Sequence, residues 1–205
     1  MSQGFLSRIE LGAAGIRRLL NLWPPFRGAG IRVREIAPDF RSATVELRMR
    51  LLNRNYVGTH FGGSLFAMTD PFFMVMMMKN LGPDYLVWDK QGTVRFLKPA
   101  RGTVTARFEI AEERIAEARQ HTEAGAKYEP VFRVDIVDAQ GTVVADVEKT
   151  LYIRRRKGDV SPAKAGARLL GPRLRGDDKV IRGDDKVIRG ADKIRGDSWN
   201  SSTGS

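Results

Sequence analysis

Residues 55–82 read "NYVGTHFGGSLFAMTDPFFMVMMMKNLG", and the fold turns on this stretch. It opens polar and turn-prone, passes through Gly62-Gly63, and then runs almost wholly apolar. Between residues 65 and 78 only Thr69 and Asp70 are polar. A helix apolar on all sides has to be enclosed all round. The segment therefore predicts a central helix from Gly62 to about Asn80, with a sheet on one side and a second subunit as the natural cover on the other. Pro71 cannot donate to the carbonyl of Ala67, so a bend is expected there. The freed carbonyl is expected to hold a water beside Asp70.

Working outward, two strand-like segments precede this helix, residues 31–37 and 42–50. In the second, Val45, Leu47 and Met49 alternate with polar neighbours, the pattern of a half-buried strand. After the helix come "YLVWDK", "GTVRFLKPA" and "GTVTARFEIAEE", then a short charged helix in "EERIAEARQHTEAG". The last two strands, "YEPVFRVDIVDAQ" and "TVVADVEKTLYIR", meet at "DAQG" as an antiparallel hairpin. No strand–helix–strand alternation is present to build a parallel sheet. The expected class is α+β, an antiparallel sheet wrapped around a long central apolar helix. A further helix in residues 1–26, ended by Pro24-Pro25, is expected to pack on the domain.

The chain has 205 residues, 42% of them hydrophobic and none of them cysteine. One domain, residues 27–155, is expected; disulfides, thiolate metal sites and cysteine nucleophiles are excluded. The net charge of +11 is unevenly spread. Residues 1–153 hold 21 basic and 17 acidic side chains, residues 154–205 hold 14 and 7. Most of the excess thus lies in a tail where "RGDDKVI" recurs. Each unit has a glycine and one adjacent apolar pair, which makes no coiled-coil seam. Residues 156–205 read as a disordered basic repeat tail, with no specific nucleic-acid partner. Arg8 and Glu10 interrupt what would be a secretory core, and no apolar run reaches the roughly 20 residues of a membrane span. A cytoplasmic protein is expected.

Asp70 stands out on chemical grounds. A carboxylate among Phe66, Phe72, Phe73 and methionines is pushed toward its neutral form by desolvation, so it has either a partner or a use. Arg95 is one candidate partner; backbone at a dimer seam is another.

The order of elements and the residues on it resemble the hotdog fold of acyl-CoA thioesterases, in particular the phenylacetyl-CoA thioesterase pattern. Asn55, Gly58, Phe61-Gly62-Gly63 and Asp70 fall into that pattern's core. "VRFLKPARGTVTA" (residues 94–106) matches a second part, and Asp138, Gly141, Val144 and Ala145 match its close. "NYVGTHFGGSLFAMTDP" with "YLVWDK" is similar to a hotdog family labelled a domain of unknown function. One residue departs: Phe61 stands where the motif has histidine, and His60 lies one position earlier.

The resemblance implies hydrolysis of a thioester, with coenzyme A only as part of the substrate and neither metal nor other cofactor. It implies a homodimer or dimer of dimers in which Asp70 acts as general base, or attacks directly, on a thioester held by the partner's Gly62 and Gly63. Amides at a helix N-terminus are unpaired and can stabilise an oxyanion. The glycines equally suit close packing of the loop. Asn55, Gly58, Thr59, His60 and Phe61 are substrate-binding candidates; Asn55 and Thr59 also read as turn residues, and His60 as a packing residue. With the motif histidine absent, a non-catalytic acyl or CoA-thioester binding protein stays open. A hotdog dehydratase fits less well, because its acid falls on Met74.

Overall fold

The computed structural model describes residues 11–156. The repeat tail and the first ten residues lie outside that range. Helix α1 (Ala13–Leu22) is followed by a short helix α2 (Pro24–Ala29), then by strands β1 (Ile31–Ile36) and β2 (Ser42–Arg48). Two helices in tandem, α3 (Gly62–Ala67) and α4 (Phe72–Leu81), occupy the middle of the chain. The second half supplies β3 (Tyr85–Phe96), β4 (Thr103–Glu109), α5 (Glu112–Thr122), β5 (Lys127–Tyr128), β6 (Val131–Val137) and β7 (Val143–Arg155).

The strands form one antiparallel sheet in the order β1-β2-β4-β6-β7-β3, with the short β5 pairing to β7. It wraps around α3 and α4, which is the hotdog arrangement. Alternation sets the inner face: on β2 Ala43, Val45 and Leu47 are buried, and on β7 Val147, Lys149, Leu151 and Ile153 are. Aromatic rings fasten α4 to the sheet. Phe72 meets Phe108 at 4.8 Å between ring centroids, and Phe73 sits 5.1 Å from Phe108 and 4.9 Å from Phe132. Such pairs add to the burial of the rings themselves.

The two ends of the sheet differ. Helix α1 lies by β1, where Asn21 acts as a substitute strand: its side-chain amide donates to Val33 O (2.9 Å) and its Oδ1 accepts from Val33 N–H (2.8 Å). At the other end β3 has a neighbour on one side only. An unpaired strand edge is a template for another strand.

Three expectations change. The turn "WPPFRGAG" contains helix α2, because proline is tolerated in a first helical turn and Gly30, in the left-handed region at φ 83°, ends it. "YLVWDK" and "GTVRFLKPA" are one strand, continuous through a bulge between Asp89 and Gln91. The central helix is broken into two rather than bent. Truncating Phe73, buried against two rings, is expected to lower stability by about 3–5 kcal/mol. Urea unfolding of Phe73→Ala checks this; a loss under about 1 kcal/mol contradicts the enclosed position of α4.

Candidate active site

The break between α3 and α4 follows from Pro71. The helix stops at Ala67, and the next residues find other partners. Thr69 N–H donates to Phe66 O at 3.0 Å and its hydroxyl donates to the same oxygen at 2.7 Å. Asp70 N–H donates to Ala67 O at 3.2 Å, so that carbonyl is occupied and not free to hold a water as the sequence suggests. Val75 N–H then bonds Pro71 O at 2.9 Å and α4 begins. Met68 and Thr69 stay buried, while Asp70 is turned outward and exposed on the protomer. Its setting is therefore not the apolar enclosure that the sequence predicts. Nor is Arg95 its partner: that guanidinium pairs with Asp146 at 2.8 Å.

Asp70 instead comes against a residue the sequence did not single out. It is near enough to Asp89 on β3 for its charge to raise the Asp89 pKa. Behind Asp89 stands Lys149 on β7, its Nζ 3.4 Å from Asp89 Oδ1. The Lys149 side chain is only 4% exposed and its ammonium lies over the Phe66 ring, 5.1 Å from the centroid. Gly92, paired with Lys149 across β3 and β7, makes room for both. A Cβ there would come within 2.6 Å of Phe66 Cζ and 3.3 Å of Lys149 Cδ. Burial raises the Asp89 pKa, Lys149 works against that rise, and the Asp70 charge adds to it.

The sequence does carry a signal for Lys149: it occupies the inward phase of β7, between Val147 and Leu151. Asp89 is likewise in phase with the buried Val87, and its register partner is the buried Leu151. Their meeting with Asp70 depends on sheet register and on the helix break, which the sequence does not show.

The glycines Gly62 and Gly63 open α3, whose N-terminus is capped by no side chain. Each lies close under an aromatic ring. A Cβ on Gly62 would meet Phe96 Cζ at 2.8 Å, and one on Gly63 would meet the Phe61 ring. Close packing is thus one reason for both glycines. Phe61 itself is 58% exposed. Gly62 opens the six-residue α3, and Asp70 lies three residues beyond its end at Ala67.

The loop before α3 is held by Asn55. Its Nδ2 donates to Thr59 Oγ1 (2.8 Å) and to His60 O (3.1 Å), and its Oδ1 accepts from Thr59 N–H (2.9 Å). Gly58 has φ 74°, which favours glycine, and its carbonyl accepts from Arg101. Asn55, Gly58, Thr59 and His60 therefore form one turn, separate from the Asp70–Asp89–Lys149 group. No helix among the described residues is long and apolar enough to cross a membrane, and no group of three or more acidic, histidine or cysteine side chains among them is arranged to hold a metal.

Residues 12–153 match the model of a family described as "Domain of unknown function (DUF4442)". No curated protein matches the chain in sequence. Among solved structures, the chain is similar to a Pseudomonas aeruginosa protein of unknown function named a probable thioesterase. The two are 23% identical, over 68% of this chain and 93% of that one, with a TM-score of 0.61. It is also similar to a Haemophilus influenzae thioesterase (13% identity, 74% and 96% covered, TM-score 0.52). A Chlorobaculum tepidum protein of unknown function is a third (16%, 71% and 98%, 0.55). At these identities the likeness is one of fold.

His60 makes the loop sensitive to pH. It is 3% exposed, Nε2 meets Gly102 O at 2.9 Å, and Nδ1 has no partner. Burial lowers its pKa from the ordinary 6.5, more than the Gly102 carbonyl raises it. As pH falls through 6.5 the unfolded chain takes up a proton first, so stability drops with falling pH until the folded histidine also protonates. Urea unfolding across pH is expected to show this slope in the wild type and to lack it in His60→Gln. An equal slope in both contradicts the assignment.

Proposed function

The chain belongs to the family described as "Domain of unknown function (DUF4442)", and on that premise we propose that it is a thioesterase. Its substrate is an acyl-CoA or related thioester, and Asp70 is the general base. The observation that carries this reading is the position of Asp70. It is the only carboxylate of the central helices, it is exposed at their break, and it forms no ion pair among the described residues.

The chemistry is hydrolysis. A water oxygen bonds to the thioester carbonyl carbon while Asp70 takes its proton. The carbonyl oxygen becomes an oxyanion and accepts hydrogen bonds from backbone amides. The C–S bond then breaks, the thiolate receives the proton, and acid and thiol leave. No metal or redox group takes part in this sequence, and coenzyme A enters only as substrate.

The amides come from a second copy. Gly62 and Asp70 of one protomer lie at opposite ends of α3, Asp70 beyond its last residue, whereas base and oxyanion donors act on atoms about 3 Å away. On this reading the base and the donors for one carbonyl come from different protomers. A symmetric dimer puts Asp70 against the partner's Gly62 and Gly63, and repeats the arrangement across the axis. The free edge of β3 supports such a pairing, and Phe61 and Phe96, the rings against Gly63 and Gly62, are exposed, as is Leu97. A cytoplasmic location, where coenzyme A thioesters are plentiful, completes the reading.

Phe61 favours one second reading. With an aromatic ring where the related pattern has histidine, the same surface suits a protein that binds acyl-CoA without hydrolysing it. A DTNB thiol-release screen over acyl-CoA chain lengths separates the two. Hydrolysis by the wild type, with Asp70→Asn slower by about 100-fold or more and binding retained, is the expected result. Acyl-CoA bound but never cleaved would establish the binding protein, and full activity in Asp70→Asn would remove Asp70 as the base.

A further inference from the structure

The loop between β2 and α3 is built inside out. Two of its polar side chains turn inward and hold the backbone. Asn53 Nδ2 donates to Ala29 O (2.7 Å) and to Arg48 O (2.8 Å), and its Oδ1 accepts from Arg50 N–H (2.6 Å). Asn55 ties Thr59 and His60 in the same manner. The chain after β3 moors the loop from outside: His60 N–H donates to Ala100 O (2.9 Å), and the Arg101 guanidinium donates to Gly58 O (2.7 Å). The apolar side chains go the other way. Leu51, Leu52, Tyr56 and Val57 are all exposed, Leu52 at 96% and Tyr56 at 105%. A firmly held loop that keeps asparagines in and large apolar groups out marks a binding surface.

Charge narrows the partner. Residues 47–69 contain no aspartate or glutamate. Arg50 and Arg54 flank the two leucines, and neither they nor Arg101 forms an ion pair among the described residues. We infer that residues 50–57 dock the protein on an anionic membrane surface. The four apolar side chains enter the boundary between headgroups and acyl chains, and the arginines meet lipid phosphates. Apolar groups beside cations, with a tyrosine among them, suit that boundary. A guanidinium also matches the geometry of a phosphate.

Shape favours a bilayer over a protein. Side chains as exposed as Leu52 and Tyr56 have nothing packed beside them, so they form a knob and not the wall of a groove. A protein partner would have to bring a matching pocket, whereas a headgroup layer closes round a knob of any outline. Charge disfavours a second copy, because two such loops brought together would set arginine against arginine. The dimer proposed above pairs through β3, not through this loop. The loop runs directly into Gly62 and Gly63. Docking through it would hold the candidate site close to a surface in which long acyl chains dissolve.

The chain has no cysteine, so a single introduced thiol labels one position. Full-length Leu52→Cys carrying an NBD fluorophore is mixed with phosphatidylcholine vesicles, with or without phosphatidylglycerol. Gln140→Cys, exposed between β6 and β7, is the control. The expected result is a blue-shifted, brighter emission at position 52 with the anionic vesicles and none at position 140. In co-sedimentation with the same vesicles, each of Arg50→Gln and Arg54→Gln should weaken binding about fivefold, and Leu52→Ser about tenfold or more. No thioester is present, so the result stands or falls apart from the proposed hydrolysis. Failure to bind anionic vesicles overturns the inference. Equal sedimentation of wild type and variants also does, since it places the binding elsewhere on the chain. An emission shift with poly-glutamate but not with vesicles overturns it in favour of an acidic protein. A shift that grows with protein concentration alone overturns it in favour of a second copy.

Discussion

Proline at position 71 removes one backbone donor, and the geometry of the candidate site follows from that loss. An unbroken helix through residues 62–81 would carry Asp70 on a cylinder packed among Phe66, Phe72 and Phe73. The break instead lets Thr69 tie both its amide and its hydroxyl to Phe66 O, and turns Asp70 to the surface beside β3. A carboxylate is costly when buried alone and cheap when solvated. The break therefore reconciles an almost wholly apolar pair of helices with one ionisable group among them.

The sheet answers that break with two residues of its own. Asp89 and Lys149 come from neighbouring strands, and Gly92 leaves space for the lysine beneath Phe66. Burial of the ion pair is tolerable because the partners remain together; separating them would strand a charge. The same strand β3 that provides Asp89 is the open end of the sheet. The polar group and the unpaired edge thus share strand β3, where the proposed second copy would dock.

Much of the architecture was legible in the sequence because burial follows period. Val45 and Leu47 on β2, and Val147, Leu151 and Ile153 on β7, mark the inner face by alternation alone. The run from Leu65 to Met78 announced a helix needing enclosure on every side. The legibility ended where tertiary contacts decide. Helix α2 hid behind Pro24-Pro25, since prolines that open a helix read like prolines in a turn. The direction Asp70 takes after Pro71 depends on which carbonyls Thr69 and Asp70 find, and residue type does not reveal that. Lys149 was visible as a charge in an apolar phase. Its link to Asp70 runs through Asp89, across a register that only the paired strands define.

The central claim is that base and oxyanion donors for one thioester sit on different protomers. Mixed dimers of two impaired variants test it most directly. Asp70→Asn removes the base. Gly62→Pro removes one amide at the first turn of α3, behind a residue (Phe61, φ −64°, ψ 126°) whose extended backbone suits a following proline, and the Phe96 ring that its Cβ would meet is the exposed end of a side chain free to move aside. Co-refolding equal amounts should give half mixed dimers, each with one intact site, and so restore roughly a quarter of wild-type thiol release. Activity no higher than that of the two variants measured apart would contradict the account.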